Sequence, residues 1–340
     1  MSLKFNFVAA AEAAVVGSAS LFATTAHAAD DVVMRINFTP WGMHAQYFAG
    51  QAQGFYEEAG INIEIRPPSA GQLNEAIIAT GREHFGITNV DSFTRARANG
   101  LPVRAIMMDQ PDLPFAVITL ESSGISAPEH IAGKKIGLFQ STGAGMVTPF
   151  LKAGGLTEKD VTLVNIARGT ENQLLASGEI DAVIGFSYGQ ALTLEERGIP
   201  VNVMPLKDYG VVTYGTVIYT NEMLIEQNPD LVQRFVAATV KALNWTADNK
   251  KDAVAEVIKV SPDRDLDLET RKLEIIYGLY DSPDYADAFG VMSADKWEST
   301  IDFYIETGEF ETRPDVDGIF TNDFIANVPE ATALAEKVRQ

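Results

Sequence analysis

A short turn near the start of the chain carries two side chains that are well suited to contact a ligand. Residues 39–44 read Thr-Pro-Trp-Gly-Met-His and lie between a β-type run and a helical stretch. Trp41 offers a flat apolar face, and His44 offers a polar contact that titrates near neutral pH. Ligands of open α/β sheets bind beyond the carboxyl ends of strands, so both residues are predicted to line a binding site. The alternative is that Trp41 packs between the two lobes that the strand pattern predicts below, and that His44 caps the helix.

A second turn, over residues 140–145, is rich in small and hydroxyl-bearing residues. Ser141 and Thr142 can donate hydrogen bonds beside the free N–H groups of the helix that follows, which suits an anionic or carbonyl oxygen of a ligand. Taken alone, the stretch is only a Ser/Thr N-cap with flexible glycines. It lacks the Gly-Lys-Ser/Thr of a nucleotide-binding phosphate loop.

A third turn, over residues 185–190, reads Gly-Phe-Ser-Tyr-Gly-Gln and again follows a β-type run. Phe186 and Tyr188 supply aromatic surface, and Gln190 supplies an amide that both donates and accepts hydrogen bonds. We expect Trp41 and Tyr188 to enclose a planar ring, oriented by His44, Asn89, Gln190 and the Ser141-Thr142 turn. The alternative is that Phe186 and Tyr188 belong to the hydrophobic core.

Further polar residues follow other strands at the same predicted edge of the sheets. Such positions also favour residues that cap helices, so each candidate is weak alone and the set is stronger than its members. The additional cleft candidates are Ser69, Gly71, Gln72, Thr88, Asn89, Asp91 and, where the chain returns between lobes, Tyr214.

Enzymatic chemistry has little support in the composition. The chain has no cysteine and four histidines, at positions 27, 44, 84 and 130, and none of these has the His-x-x-x-His spacing of a metal hydrolase. The Gly-x-Ser-x-Gly nucleophile motif is also missing. We therefore predict a binding protein without catalytic residues, metal or cofactor.

The elements that must position these residues alternate between β-type runs and helical stretches from Val33 onward, which predicts an α/β fold with parallel sheets. The β-type runs are 33–38, 61–65, 85–87, 103–107, 115–120, 135–139, 161–164, 181–184, 201–204 and 215–220. We predict two lobes joined by a double hinge, with crossings near 113–118 and 213–220. Lobe I comprises 30–114 plus 221–340, and lobe II comprises 115–220.

The last third of the chain, from Pro229 onward, is helical in pattern. Apolar residues recur there at helical spacing, which predicts core faces instead of a cofactor site. The two stripes are Leu231, Phe235, Ala238 and Leu243, and Leu273, Ile276, Tyr277 and Tyr280.

The N-terminal segment 1–28 has the features of a cleaved secretory signal. Lys4 precedes an apolar stretch that ends before Ala26-His27-Ala28, so cleavage is predicted after Ala28. Glu12 interrupts the apolar stretch, and an amphipathic helix is the alternative. Because the chain has no cysteine, a lipid anchor is excluded, and we expect a free periplasmic monomer. The formal net charge of −20 argues against nucleic-acid binding.

These residues together suggest a family. Pro40, His44 and the Gly-Phe-Tyr of 54–56, followed by the acidic and hydrophobic stretch 57–63, resemble the opening of solute-binding proteins for thiamine pyrimidine precursors. The resemblance covers most of 33–260, and the superfamily also includes sulfonate, taurine, nitrate and riboflavin binders. It implies a type II-like periplasmic-binding-protein fold that closes over a small molecule and docks on the permease subunits of an ABC importer.

Two departures from that family's pattern concern the ligand. Trp41 stands where the pyrimidine binders carry Asn, and Gln190 stands nearest to the Glu that pairs with the aminopyrimidine. We therefore expect a small planar heteroaromatic ligand, with a flavin-like compound still possible and a small anion such as sulfonate, taurine or nitrate as the alternative. Fungal thiamine-pyrimidine synthases share the fold and a counterpart of His44, but they also need a cysteine-rich iron-binding loop that this chain lacks.

Overall fold

A computed structural model describes Met1 and residues 29–69, 71–139, 144–167 and 169–339. The predicted signal segment, its cleavage position after Ala28, and the Ser141-Thr142 turn lie outside the described residues.

The first sheet has five strands in the order β2-β1-β3-β10-β4. Strand β1 is parallel to β2 and β3, whereas β10 is antiparallel to β3 and β4. The strands are β1 (Asp30–Arg35), β2 (Ile61–Arg66), β3 (Phe85–Asn89), β4 (Val103–Met108) and β10 (Thr216–Asn221).

The second sheet has five strands in the order β7-β6-β8-β5-β9. Strand β6 is parallel to β7 and β8, whereas β5 is antiparallel to β8 and β9. The strands are β5 (Phe115–Leu120), β6 (Lys135–Phe139), β7 (Thr162–Ile166), β8 (Ala182–Phe186) and β9 (Val201–Pro205). Two α/β lobes are therefore present, as predicted, but each sheet is mixed instead of parallel.

Two boundaries differ from the prediction. Strand β10 is a buried inner strand of the first sheet, so residues 216–220 belong with that sheet and not with lobe II, and the second crossing ends before Thr216. Strand β1 ends at Arg35 instead of Phe38, which places Asn37 and Phe38 in the turn that precedes Trp41.

The two crossings run side by side. The N–H groups of Asp109 and Gln110 both donate to the Thr216 carbonyl at 3.0 Å, and the Gly215 N–H donates to the Gln110 carbonyl at 3.0 Å. Further along, the Leu113 N–H donates to the Thr213 carbonyl at 2.9 Å. The two segments that join the lobes are thus hydrogen-bonded to each other, and together they form the double crossing.

Helices flank both sheets, and most of the later ones pack with one another and with α1 and α2 in the first lobe. Those before the return crossing are α1 (Ala45–Ala52), α2 (Phe55–Glu58), α3 (Asn74–Ala79), α4 (Val90–Ala98), α5 (Thr148–Ala153), α6 (Glu171–Ser177) and α7 (Leu192–Glu195). Those after it are α8 (Glu222–Gln227), α9 (Pro229–Asp248), α10 (Lys250–Val260), α11 (Leu266–Leu279), α12 (Ala294–Glu306) and α13 (Pro329–Val338).

Helix α9 illustrates how local sequence and core packing agree. Pro229 occupies its first turn, where a missing N–H costs nothing, and the Asn228 side chain accepts from the Leu231 N–H at 3.2 Å. The predicted apolar stripes on α9 and α11 are both buried, which confirms them as core faces. Among the described residues, no helix is both long and apolar enough to cross a membrane.

The ring of Phe235 anchors α9 to the first sheet. It is fully buried and stacks on Phe85 with ring centroids 3.7 Å apart. We expect Phe235→Ala to lower the free energy of unfolding by about 3–5 kcal/mol, because the substitution removes buried apolar area and leaves a cavity. Urea denaturation followed by circular dichroism measures this change. Val260→Ala, at a residue that is 54% exposed at the end of α10, is the control and should cost less than about 0.5 kcal/mol. Equal losses in the two variants would contradict the assignment of Phe235 to the core.

Candidate ligand-binding site

A cavity of about 600 Å³ lies between the two sheets, where turns after β1 and β3 face turns around β6 and β8. This volume is within the range of small-molecule sites. The first lobe contributes Asn37, Phe38, Trp41, Met43, Thr88, Asn89, Asp91, Ser92, Arg264 and Lys272, and the second contributes Phe115, Phe139, Gly169, Glu171, Asn172, Gln173, Phe186, Gly189, Gln190, Thr193 and Arg197.

Trp41 lines this cavity, but it also packs directly against the second lobe. Its ring stacks on Tyr188 with centroids 5.8 Å apart and ring planes 24° apart. Holding a third ring between two others requires about 7 Å, twice the ordinary contact distance. The expected enclosure of a ligand by Trp41 and Tyr188 is therefore wrong for this conformation, and the alternative of packing between lobes describes Trp41 correctly.

Tyr188 is the middle ring of an aromatic column that joins the lobes. Phe186 stacks on its other side at 5.5 Å, and the Tyr188 hydroxyl accepts a hydrogen bond from Gln110 Nε2 at 3.0 Å. The side chain is fully buried and does not line the cavity, whereas Trp41 and Phe186, the outer rings of the column, both do. Tyr188 thus packs against both Trp41 and Phe186 and holds these two cavity-lining rings in place.

His44 is fully buried and does not line the cavity, but it is hydrogen-bonded to a residue that does. Burial, together with the positive charge of Arg264, lowers its pKa from 6.5 to about 3, so the ring is neutral. Its Nε2 lies 2.9 Å from Asn37 Oδ1, and Asn37 Nδ2 donates to Asn89 Oδ1 at 3.0 Å. Because an amide oxygen only accepts, His44 must donate from Nε2, and the chain of bonds leaves the Asn89 NH₂ group for the cavity. His44 is thus a positioning residue and not a direct ligand contact.

The turn that carries Trp41 is held by Glu269 of α11. The buried Glu269 carboxylate accepts from the Gly42 N–H at 2.8 Å and from Lys272 Nζ at 2.8 Å, and Arg264 Nη1 lies 3.4 Å away. A Cβ on Gly42 would lie 2.6 Å from the Glu269 carbonyl oxygen, so only glycine allows this approach. Lys272 Nζ also lies 5.8 Å from the centre of the Trp41 ring.

A polar group on the second lobe surrounds Gln190. Its Nε2 donates to Glu171 Oε1 at 3.1 Å, and Glu171 Oε2 accepts from the Gly169 N–H at 2.6 Å. Asn172 Nδ2 donates to the Gln190 backbone carbonyl at 3.4 Å. The amide of Gln190 is therefore joined to a carboxylate that also lines the cavity.

The predicted site residues divide into three groups: those that line the cavity, those that lie elsewhere in the structure, and those outside the described residues. Trp41, Asn89, Asp91, Phe186 and Gln190 line the cavity, as does the additional candidate Thr88. His44, Tyr188 and Tyr214 are buried, the exposed Gln72 lies outside the cavity, and Ser141 and Thr142 are outside the described residues.

The turn positions of Tyr214 and Gln72 predict cleft residues, but neither side chain lines the cavity in this structure. Tyr214 packs on Trp297 with centroids 5.3 Å apart, and its hydroxyl accepts from the Ser293 N–H at 2.9 Å. Its polar atom is thus satisfied inside the first lobe. Gln72 belongs to the exposed turn after β2, the strand at the edge of the sheet.

Sequence reasoning missed several cavity residues. Asn37 and Phe38 were placed inside an overlong first strand, although their position before Pro40 was a usable signal of a turn. Arg264 and Lys272 belong to the helical C-terminal part, whose local pattern shows no relation to a turn more than 200 residues earlier. Glu171 stands at the start of α6, where capping alone explains an acidic residue.

The relatives of this chain include a binding protein and enzymes. It is 26% identical over 303 residues to the riboflavin-binding protein RibY of Chloroflexus aurantiacus, covering 86% of each chain. It is 27% identical over 270 residues to 4-amino-5-hydroxymethyl-2-methylpyrimidine phosphate synthase THI13 of Saccharomyces cerevisiae, covering 75% of this chain and 78% of that protein.

The solved structures that resemble it include the periplasmic aliphatic sulphonate binding protein SsuA of Escherichia coli. The TM-score is 0.67 at 14% identity, and the match covers 86% of this chain and 92% of SsuA. This likeness agrees with the two-lobe α/β fold that the two sheets define. The family model described as NMT1/THI5 like matches residues 41–253, which is more than half of the chain and includes cavity residues from both lobes. The chain belongs to the NMT1/THI5-like family.

Proposed function

We propose that this protein is the extracytoplasmic solute-binding component of an ABC importer and that it captures a small planar heteroaromatic compound, such as a thiamine pyrimidine precursor. The observation that carries the proposal is the cavity between the two lobes, to which both contribute aromatic and hydrogen-bonding side chains. Such a site binds by closure, since a ligand that contacts both lobes stabilises the closed state.

The size and lining of the cavity favour a planar organic ligand over a small anion. Five of its side chains are aromatic, and about 600 Å³ is far more than nitrate or taurine would fill. The aromatic side chains are Phe38, Trp41, Phe115, Phe139 and Phe186. The ligand ring would rest on the cavity-facing surfaces of Trp41 and Phe186, the outer rings of the column that Tyr188 holds in place. A sulfonate or nitrate ligand, as in SsuA-like proteins, is the alternative.

We further propose that the protein is not an enzyme. The THI13 relative favours a synthase as the second candidate, but the complete absence of cysteine argues against the iron-binding loop of the fungal synthases. The neutral, buried His44 is already committed to Asn37, which fits a positioning role. Assayed in parallel with the THI13 enzyme under conditions in which that enzyme is active, this protein should therefore form no 4-amino-5-hydroxymethyl-2-methylpyrimidine phosphate, and product detected by mass spectrometry would contradict this part of the proposal.

A thermal-shift screen tests the proposed ligand class directly. Protein recovered from the periplasm is screened against thiamine, 4-amino-5-hydroxymethyl-2-methylpyrimidine, riboflavin, alkanesulfonates, taurine and nitrate. A ligand at 100 times its Kd adds about 2.7 kcal/mol to the free energy of unfolding. Stabilisation by a heteroaromatic compound supports the proposal, and stabilisation by a sulfonate or nitrate alone would overturn it.

The proposed location follows from the N-terminal segment and the transport role. We propose that residues 1–28 are removed during export and that the mature monomer begins at Ala29, because the small-x-small pattern ends there. N-terminal sequencing of periplasmic protein should begin at Ala29. Soluble cytoplasmic protein that retains Met1 would contradict the proposal.

We expect Trp41→Ala to weaken binding of the heteroaromatic compound that the screen identifies. Base-like rings stacked on aromatic side chains contribute about 1–3 kcal/mol, which corresponds to about 5- to more than 100-fold in Kd. Isothermal titration calorimetry measures the change. Trp245→Ala is the matched control, since Trp245 lies outside the cavity and packs on Phe55. Unchanged affinity in a folded Trp41→Ala protein would remove the aromatic wall from the proposal.

We also expect the ligand to shift the protein toward the closed arrangement. Besides the aromatic column, Arg271 of α11 forms an ion pair with Glu196, which follows α7 of the second lobe. Both contacts join the lobes, so an opening of the cleft would break them. Small-angle X-ray scattering should show a smaller radius of gyration when the ligand saturates the protein. An unchanged profile at saturation confirmed by calorimetry would contradict hinge closure.

A further inference from the structure

A glycine of the second lobe lies directly against a corner of the first lobe. Gly145 belongs to the helical turn Ala144–Met146 before α5, and Thr307 directly follows α12. A Cβ on Gly145 would lie 2.3 Å from Thr307 Cβ, and 2.8 Å from both the hydroxyl and the carbonyl oxygen of Thr307. Atoms that are not bonded to each other do not approach so closely in folded proteins, so only glycine fits at position 145 in this arrangement.

The backbone at position 145 does not itself require glycine. Gly145 is buried and its φ is not positive, in contrast to Gly308 beside Thr307, whose φ is 74°. Any L-residue could adopt the Gly145 backbone conformation without strain. The requirement for glycine therefore comes from the contact with Thr307, which is a contact between the lobes.

The residues after Gly145 fix it to the second lobe. Met146 and Val147 follow it directly and are both buried. The Phe150 ring of α5 then packs edge-on against Tyr209, in the turn after β9, with ring centroids 5.0 Å apart. The side of Gly145 that leads into α5 is thus anchored in a packed core.

The corner of the first lobe, residues 307–310, is also held in place. The N–H and the hydroxyl of Thr307 both donate to the Phe303 carbonyl oxygen, at 3.0 and 2.8 Å. Arg95 Nη1 donates to the Glu309 carbonyl oxygen at 3.0 Å, and its Nη2 lies 3.3 Å from the Glu309 carboxylate. Arg95 belongs to α4, whose first turn lines the cavity. The corner is therefore joined to a wall of the cavity.

We propose that Gly145 and Thr307 form a steric stop that determines how far the two lobes can close, and that any side chain at position 145 holds the cleft open. The inference rests on the proposed binding by closure. A change of the Thr307 rotamer cannot make room, because its Cβ and carbonyl oxygen are part of the obstacle. The stop thus sets the smallest volume that the cavity reaches around a ligand.

The other polar contact between the lobes is too weak to have this role. Arg271 and Glu196 form an ion pair in which both side chains are substantially exposed, and solvent screens such pairs. Steric overlap is not screened, and packed interiors yield little to it. The position of the lobes in the closed state therefore depends on the fit at Gly145 more than on this ion pair.

Cross-linking between the lobes measures closure without any ligand. The chain has no cysteine, so Arg271→Cys and Glu196→Cys together give a parent protein with one thiol in each lobe, at side chains that meet in this arrangement. A short bismaleimide bridges the two thiols while the lobes are closed, and otherwise each thiol reacts with a separate molecule. The ratio of bridged to doubly modified protein, measured by mass spectrometry, reports the closed population even when that population is small.

We expect Gly145→Ala to lower this ratio about 5- to 100-fold in the parent protein, as is typical when a methyl group is forced into a packed contact. Gly145→Val should lower it at least as much. Addition of Thr307→Gly should partly restore bridging in Gly145→Ala, because it removes the Thr307 Cβ and hydroxyl and leaves only the carbonyl oxygen at 2.8 Å.

Two matched glycine variants separate closure from stability. Gly278→Ala lies in α11, where an added Cβ would meet no described atom within 4 Å, and it should leave the ratio unchanged. Gly154→Ala would place a Cβ 2.7 Å from the carbonyl carbon of Pro128, inside the second lobe. It should lower the urea midpoint of unfolding while the folded protein bridges normally, whereas Gly145→Ala should keep a midpoint close to that of the parent.

Each other outcome has a definite meaning. An unchanged ratio in folded Gly145→Ala and Gly145→Val proteins would overturn the proposal, because the glycine turn would then adjust within the second lobe. A Gly145→Ala protein as unstable as Gly154→Ala would overturn it as well, since Gly145 would then serve the fold of one lobe. If the parent itself formed no bridged product, closure as such would be contradicted, whereas the ligand class is tested separately by the thermal-shift screen.

Discussion

The hydrogen-bonded double crossing between the lobes is the constraint on which the rest of the structure depends. The chain leaves the first sheet after β4, enters the second as the antiparallel strand β5, and returns as the antiparallel strand β10. Asp109 joins the two crossings, because its carboxylate accepts from Thr216 Oγ1 at 2.9 Å and from the Tyr47 hydroxyl at 3.0 Å. This pairing brings the strand ends of the two sheets to face each other, and the cavity is the space left between them.

The crossings also connect mechanically to the wall of the cavity. Gln110, the residue after Asp109, donates to the hydroxyl of Tyr188, and Tyr188 stacks between Trp41 and Phe186. A change in the angle between the lobes must therefore alter the aromatic column whose outer rings line the cavity. The cavity and the double crossing share one set of buried contacts, which would provide a physical route from ligand binding to the proposed closure.

Charge is distributed in a way that a net value of −20 does not reveal. Glu269 gathers Arg264 and Lys272 at the Trp41 turn, where these cations support the loop and one of them faces the indole ring. The carboxylates that face the cavity have no such partners among the described residues. Local pairing, and not total charge, thus decides which cations support the Trp41 turn.

The existence and order of ten strands, the two-lobe α/β organisation and the turns that carry the site are all predictable from the sequence alone, because alternating apolar runs and turn residues are local signals. The bounds of β1 are not. The sequence also placed Trp41, Asn89, Asp91, Phe186 and Gln190 in turns that do face the cavity. Only the tertiary structure decided that β10 returns to the first sheet, since pairing partners are not encoded in a strand's own pattern.

The tertiary structure also decided which way the side chains of those turns point. His44 and Tyr188 turn into the core, where His44 Nε2 donates to the side-chain oxygen of Asn37 and the Tyr188 hydroxyl accepts from the Gln110 amide. Lys272 of α11 and Arg264 of the turn before it instead reach the cavity. Residue type and turn position leave both orientations open. For Tyr188 and for the Trp41 turn, the deciding partners come from distant parts of the chain, namely Gln110 of the double crossing and Glu269 of α11.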